Sequence, residues 1–196
     1  MSKSNKKSEF EKIAFEHINS LYNTALRLTK NPVEAEDLVQ DTYLRAFRFF
    51  NKFQQGTNFK AWIFKILKNT FINKYRKIVR TPYHLNLEKV EYSLKQDERP
   101  SNNHWSGMDY NRYQALFDDD IASALSDLSD EFRTVVLLTD VEGFSYKETA
   151  EIIDRPIGTV MSRLSRGRKL LRQSLGNYAA YEGYVKSDSD KVLVEG

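Results

Sequence analysis

Asp118-Asp119-Asp120 and the histidines His17, His84 and His104 are the residues of this chain whose types could support metal chemistry. Neither set has the spacing for it. Three consecutive acids cannot all turn toward one ion on a helix, no His or Glu stands ready beside them, and the histidines are scattered. The acids read instead as a helix start. The chain has no cysteine, which excludes thiolate metal sites, disulfides and cysteine nucleophiles. No cofactor, metal or catalytic group is expected. The chemistry that does fit is neutralisation of phosphate. Residues 158–172, GTVMSRLSRGRKLLR, carry five basic side chains and no acid. Residues 60–80, KAWIFKILKNTFINKYRKIVR, carry seven and again no acid. Net charge is only +3, so any argument for nucleic acid rests on this clustering.

Helices must position these groups. Prolines and glycines are few, apolar residues recur at three- and four-residue steps, and alternation over five or more residues is rare. An all-α chain follows. Phe10, Ile13, Ala14, His17, Leu21, Ala25 and Leu28 mark one face of a first helix. Asn31-Pro32 closes it and opens a second, to about Phe50, with acids early and arginines late. NKFQQGTN, residues 51–58, is a loop, and a third helix runs from Phe59 to about Val79. A second block starts near Asp118, with Ser129 and Ser145 as helix starts, the latter in a capping box with Glu148, and Gly143 as a stop. Residues 81–117 show no period and read as a flexible linker, residues 177–196 as a mobile tail. No signal peptide or membrane-length apolar run occurs, so a cytoplasmic location is expected.

Periodicity assigns faces. At 100° per residue, Val160, Leu164, Gly167 and Leu171 fall within about 60° of one another and form a buried stripe. Thr159, Ser162, Arg163, Arg166 and Lys169 fall opposite. The short amphipathic helix before them, with Tyr146, Ala150 and Ile153, and the break at Asp154-Arg155-Pro156 complete a helix-turn-helix, whose second helix enters the DNA major groove. In the earlier basic stretch, Lys65, Lys68, Asn69, Asn73 and Arg76 share a side with Trp62 at its edge, opposite Phe64, Leu67, Phe71 and Tyr75. Cations, amides and a ring on one side suit single-stranded DNA, and the loop with Phe53, Gln54, Gln55 and Asn58 could accept an extruded base. A solvated helix face is the competing reading of both stretches. Asp37, Gln40, Asp41 and Leu44 make a third, acidic side, which would repel phosphates and suits a protein partner.

These segments together resemble the extracytoplasmic-function sigma factors of the sigma-70 family. LYNTALRLTKNPVEAEDLVQDTYLRAF resembles the part of sigma region 2 that binds RNA polymerase. FQQGTNFKAWIFKILKNTFINKYRK resembles the part that melts and reads the −10 element. EFRTVVLLTDVEGFSYKETAEIIDRPIGTVMSRLSRGRKLLR resembles sigma region 4, which reads the −35 element. The resemblance implies two small helical domains, region 2 over 1–80 and region 4 over 118–176, joined by the 81–117 linker. It implies polymerase binding by Asp37, Leu38, Gln40 and Asp41, base handling by Phe53 and Asn69, and −35 contacts from Thr159, Ser162, Arg163 and Arg166. The wording is most similar to a branch that answers thiol-oxidative stress, is held by zinc-containing anti-sigma factors and uses promoters like GGAA at −35 and GTT at −10. Met161 departs from the basic residue many family members place there.

The implied protein is no enzyme. It is a dissociable initiation subunit whose partners are core RNA polymerase, promoter DNA (duplex at −35, melted at −10) and an anti-sigma factor expected to grip both blocks. The alternative, a helix-turn-helix regulator acting on an operator without polymerase, leaves the acidic side and the earlier basic helix unemployed. Whether the two blocks lie apart or pack together is open at this point.

Overall fold

The computed structural model describes residues 3–80 and 119–184, with side chains over 6–74 and 119–184. The expected linker, Asp118, His84, His104 and the last twelve residues lie outside these. All regular structure among the described residues is helical. The first unit comprises α1 (Lys3–Ala14), α2 (Ile18–Thr29), α3 (Pro32–Phe49) and α4 (Phe59–Arg80). The second comprises α5 (Asp119–Asp127), α6 (Asp130–Val136), α7 (Tyr146–Ile153), α8 (Ile157–Ser174) and α9 (Gly176–Tyr181). No described helix is long and apolar enough to cross a membrane.

Local chemistry explains most boundaries. Lys30 takes a left-handed conformation (φ 59°) and its N–H returns to the Leu26 carbonyl, ending α2. The Asn31 side chain then accepts from the Val33 and Glu34 N–H groups at 2.9 and 3.2 Å, with Pro32 opening the first turn of α3. The expected continuous first helix is broken. A 3-10 turn at Phe15–His17 separates α1 from α2. The half-buried Tyr43 donates its hydroxyl to the Ala14 carbonyl at 2.8 Å, just where the two helices part. The tail also departs from expectation at its start, since α9 continues the helical path over residues 176–181.

Helix α3 lies between α2 and α4, with Leu21, Ala25, Leu28, Leu38, Ile63, Phe64 and Leu67 buried between them. In the second unit α8 rests on α6 and α7. A π-helical turn, Leu137–Val141, follows α6, and Gly143 (φ +76°) turns the chain so that the Phe144 N–H reaches the Leu138 carbonyl. The units do not stand apart. Helix α4 packs along α7, and one apolar cluster runs without interruption from Phe10 to Leu164 through both.

Candidate nucleic-acid interface

The recognition element is built from its base upward. The Ser145 hydroxyl accepts the Glu148 N–H at 3.2 Å while the Glu148 carboxylate accepts the Ser145 N–H at 2.9 Å, fixing the start of α7. The Ser145 backbone N–H, then its hydroxyl, hold the Glu148 carboxyl below the usual carboxylate range, opposed in part by burial and aided by Asn58 and Lys60. Asp154, left-handed at φ 55°, ends α7, and Pro156 precedes the first turn of α8. Val160, Leu164 and Gly167 are buried and Leu171 half-buried, as the stripe requires.

On the outward side Ser162, Arg166 and Lys169 are exposed and Thr159 is half-buried. Arg163 is the exception. It bends to Glu131 at 2.8 Å and leaves the outward row. Arg168, which periodicity left off that row, is held in a two-point pair by Asp140 at 3.0 and 2.6 Å. The pair raises its already high pKa, chiefly through the hydrogen bonds it donates to Asp140. Arg168, Lys169 and Arg172 line a shallow basic hollow with Tyr146 and Met161. Asp140 stands 28 residues from Arg168 in sequence, so no local spacing reveals the pair.

The α4 side is assembled differently. The Asn58 side-chain oxygen Oδ1 accepts the Ala61 N–H at 3.0 Å and caps α4. Phe53 is no free flap: it stacks on Phe50 (centroids 6.1 Å apart, planes 11° apart) and meets Phe59 and Trp62, each at 5.2 Å. Lys65, Asn69 and Asn73 are exposed. Lys68 is turned toward the second unit and donates to the Ile153 carbonyl at 2.9 Å. Arg76 belongs to α4, but its side chain lies outside the described region. Lys68, Asn69 and Asn73 form one wall of a cleft of about 510 Å³, and Asp130, Glu131, Asp154, Arg155 and Arg163 stand across it. The lysine–asparagine side of α4 thus faces a wall of mixed charge contributed by the second unit.

On α3, Asp37 and Gln40 are exposed, and Asp41 pairs with Lys74 at 3.2 Å. Leu38 does not join them. It is 1% exposed, because the 100° step that puts Asp37 and Gln40 outward turns Leu38 into the α2–α4 core. Leu44, 69% exposed, takes the outward position, as its spacing indicates. It borders an apolar groove of about 390 Å³ with Phe10, Phe15, Val39, Tyr43 and Phe47. The sequence concealed this groove, since it exists only because the 3-10 turn throws α1 across α3.

Two small helical units, a braced helix-turn-helix in one and a lysine–asparagine helix with an aromatic nest in the other, define a DNA-binding protein of the two-block kind. Residues 15–81 match the family described as Sigma-70 region 2, and residues 118–171 match Sigma-70, region 4. The ECF RNA polymerase sigma factor EcfG of Rhodopseudomonas palustris is 32% identical over 179 residues, spanning 91% of each chain. ECF RNA polymerase sigma factor SigE of Mycolicibacterium smegmatis is 32% identical over 171 residues, covering 87% of this chain but 63% of its own. The sigma factor RpoE of Bartonella quintana, solved with the anti-sigma factor NepR, superimposes with a TM-score of 0.64 at 30% identity, over 86% of this chain and 97% of that one. The chain belongs to the ECF sigma factors of the sigma-70 family.

Proposed function

We propose that this chain is a dissociable specificity subunit of RNA polymerase that directs the core enzyme to promoters and holds the melted −10 strand during initiation. The observation that carries the reading is the outward basic side of α8, seated by Val160, Leu164 and Gly167 and presented by a capped α7. In the roles that reading assigns, residues 118–176 dock on the −35 duplex through Thr159, Ser162, Arg166 and Lys169. Arg163 joins them once it leaves Glu131, whose carboxylate is exposed, so that loss of the pair costs about 1 kcal/mol. Residues 1–80 take the melted −10 strand through Lys65, Lys68, Asn69, Asn73 and Arg76, with Phe53 and Trp62 as the stacking platform. Asp37, Gln40 and Asp41 present the side for core polymerase, with Leu38 buried beneath them as support. Residues 81–117 tether the two half-sites, so each raises the effective concentration of the other.

The setting is the bacterial cytoplasm, and an anti-sigma factor is the regulator. The finer assignment, to the branch answering thiol-oxidative stress under a zinc-containing anti-sigma factor, rests on the wording of VEGFSYKETAEIIDRPIGTVMSRLSRGRK and GTNFKAW. It makes GGAA at −35 and GTT at −10 the promoter to try. The test is run-off transcription from such a promoter by core polymerase with and without the chain. Transcripts depend on the chain. Arg166→Ala and Asn69→Ala each lower them by about tenfold, the scale of one lost base contact. Tight operator-like duplex binding with no transcript would replace this reading with a regulator that works without polymerase.

A further inference from the structure

Most of the seam between the two units, Lys68 excepted, has no part in the roles above, yet it is closely built. Glu142 leaves the π-helical turn and enters the first unit, its side chain 6% exposed. One carboxylate oxygen accepts the Ser20 hydroxyl at 2.5 Å and the other the Thr24 hydroxyl at 3.0 Å. The Lys60 ammonium lies 3.1 Å from the same carboxylate and donates to the Glu142 backbone carbonyl at 2.8 Å. It also stands 4.9 Å from the centre of the Phe144 ring, which meets Phe64 edge-on at 5.1 Å. Around this knot, Asn58 donates to Glu148 at 2.7 Å, Lys68 to the Ile153 carbonyl at 2.9 Å and Lys30 to the Ser126 carbonyl at 2.7 Å. Each of these contacts runs from the first unit to the second.

A buried carboxylate is tolerated only with partners, and those of Glu142 belong to the other unit. The acid therefore specifies one arrangement of the units, and the Phe64–Phe144 contact supplies the apolar burial beneath it. That arrangement has a definite consequence for α4. Lys68 and Asn58 spend polar groups on the second unit. Asn69 and Asn73 line the cleft, whose far wall carries Asp130, Glu131 and Asp154 beside Arg155 and Arg163. A strand entering there meets a wall of mixed charge and finds Lys68 already engaged by the Ile153 carbonyl. The recognition helix suffers no such cover, for Ser162, Arg166 and Lys169 remain exposed.

We propose that the second unit is an intramolecular lid over the strand-binding side of α4, latched by Glu142 in the Ser20–Thr24–Lys60 pocket, and that it shuts the −10 site while leaving the −35 helix open. The inference rests on the reading of α4 as the strand-binding helix. The lid competes with the strand for Lys68 and Asn58. Apparent strand affinity then falls in proportion to the fraction of molecules that are open.

The absence of native cysteine makes the test clean. In the full chain, N58C and E148C are bridged by a short bis-methanethiosulfonate reagent and later released by reductant. Binding is read by fluorescence anisotropy with a labelled single strand carrying GTT and, separately, a GGAA duplex. The bridged protein binds the strand about tenfold more weakly than the same protein after release, the duplex equally in both states. Glu142→Ala, in an otherwise unaltered chain, binds the strand more tightly than the parent. Equal strand binding by the bridged and released forms would overturn the lid. Strand binding by none of the forms, with duplex binding intact, would instead overturn the reading of α4 and the lid with it.

Discussion

Arg133 is a cation at 2% exposure, and its surroundings explain why the chain keeps it there. Its guanidinium donates to the carbonyls of Leu125 and Ser126 at 2.8 and 2.7 Å, to that of Leu128, and to Asp130 at 3.0 Å. These carbonyls end α5, where no further helical turn offers them an N–H. Only a planar fork reaches all of them at once, so lysine is no substitute. Arg133→Ala is expected to cost about 3 kcal/mol in urea unfolding, with Arg133→Lys recovering little of it. A loss under about 1 kcal/mol would mean that water serves those carbonyls instead. His17 gives a pH-dependent counterpart. It stacks on Phe59 at 5.8 Å, and burial first, then Lys60, lowers its pKa below 6.5, with Glu16 and Glu142 opposing. The folded state therefore holds the proton less well than the unfolded chain. The stability this contributes is complete above pH 6.5 and is lost as pH falls through the folded value. His17→Phe keeps the stack, so it should flatten the fall in unfolding free energy between about pH 7 and pH 5. An unchanged slope would assign that fall to other groups.

Elements succeed or fail as sequence signals according to whether their determinants are local. Asn31-Pro32, the Ser145–Glu148 box, the Gly143 stop and the Val160–Leu164–Gly167 stripe were legible, because each depends on residues within a turn or two. Ser145→Ala should lower stability by about 1 kcal/mol, seen as a shift in the urea midpoint. Gly167 shows what local reading misses even when it places a residue correctly. Periodicity puts it on the buried stripe, but only the fold shows that an added Cβ would lie 2.9 Å from Val136 Cγ2. Gly167→Ala therefore sets a helix-propensity gain of about 1 kcal/mol against overpacking of about 1–3 kcal/mol. Net loss is expected, and Val136→Ala in the same chain should relieve the contact. Failure of that rescue would locate the strain elsewhere. The break at Phe15–His17, the turn of Arg163 to Glu131 and the pairing of Arg168 with Asp140 were not legible, since each partner lies 28 or more residues away. Among the proposed site residues, exposure of Ser162, Arg166, Lys169, Lys65, Asn69 and Asn73 followed from period alone. Leu38 did not, because its place came from the family resemblance rather than from the helix face.

At the scale of the whole molecule, the question left open by the sequence was whether two units joined by a long tether act as one body. The continuous apolar cluster answers that in the closed state they share a core. Phe64 is fully buried and Phe144 nearly so, although neither unit alone supplies both rings. Cooperativity should follow the shared core. In a Trp105→Phe background, Trp62 is the remaining indole and reports on the first unit, whereas far-ultraviolet dichroism reports on both. The two thermal transitions should coincide in the otherwise unaltered chain, as a single cooperative body requires. Phe144→Ala removes about 3–5 kcal/mol of packing and, with Glu142→Ala, cuts the coupling between units. The dichroism transition should then split, with the tryptophan signal following only one of its steps. Separate transitions before any such change would show that the seam adds too little free energy to join the units. Coincident transitions after it would place the coupling in contacts other than Phe144 and Glu142, with the Asn58–Glu148 and Lys68–Ile153 bonds the next to remove.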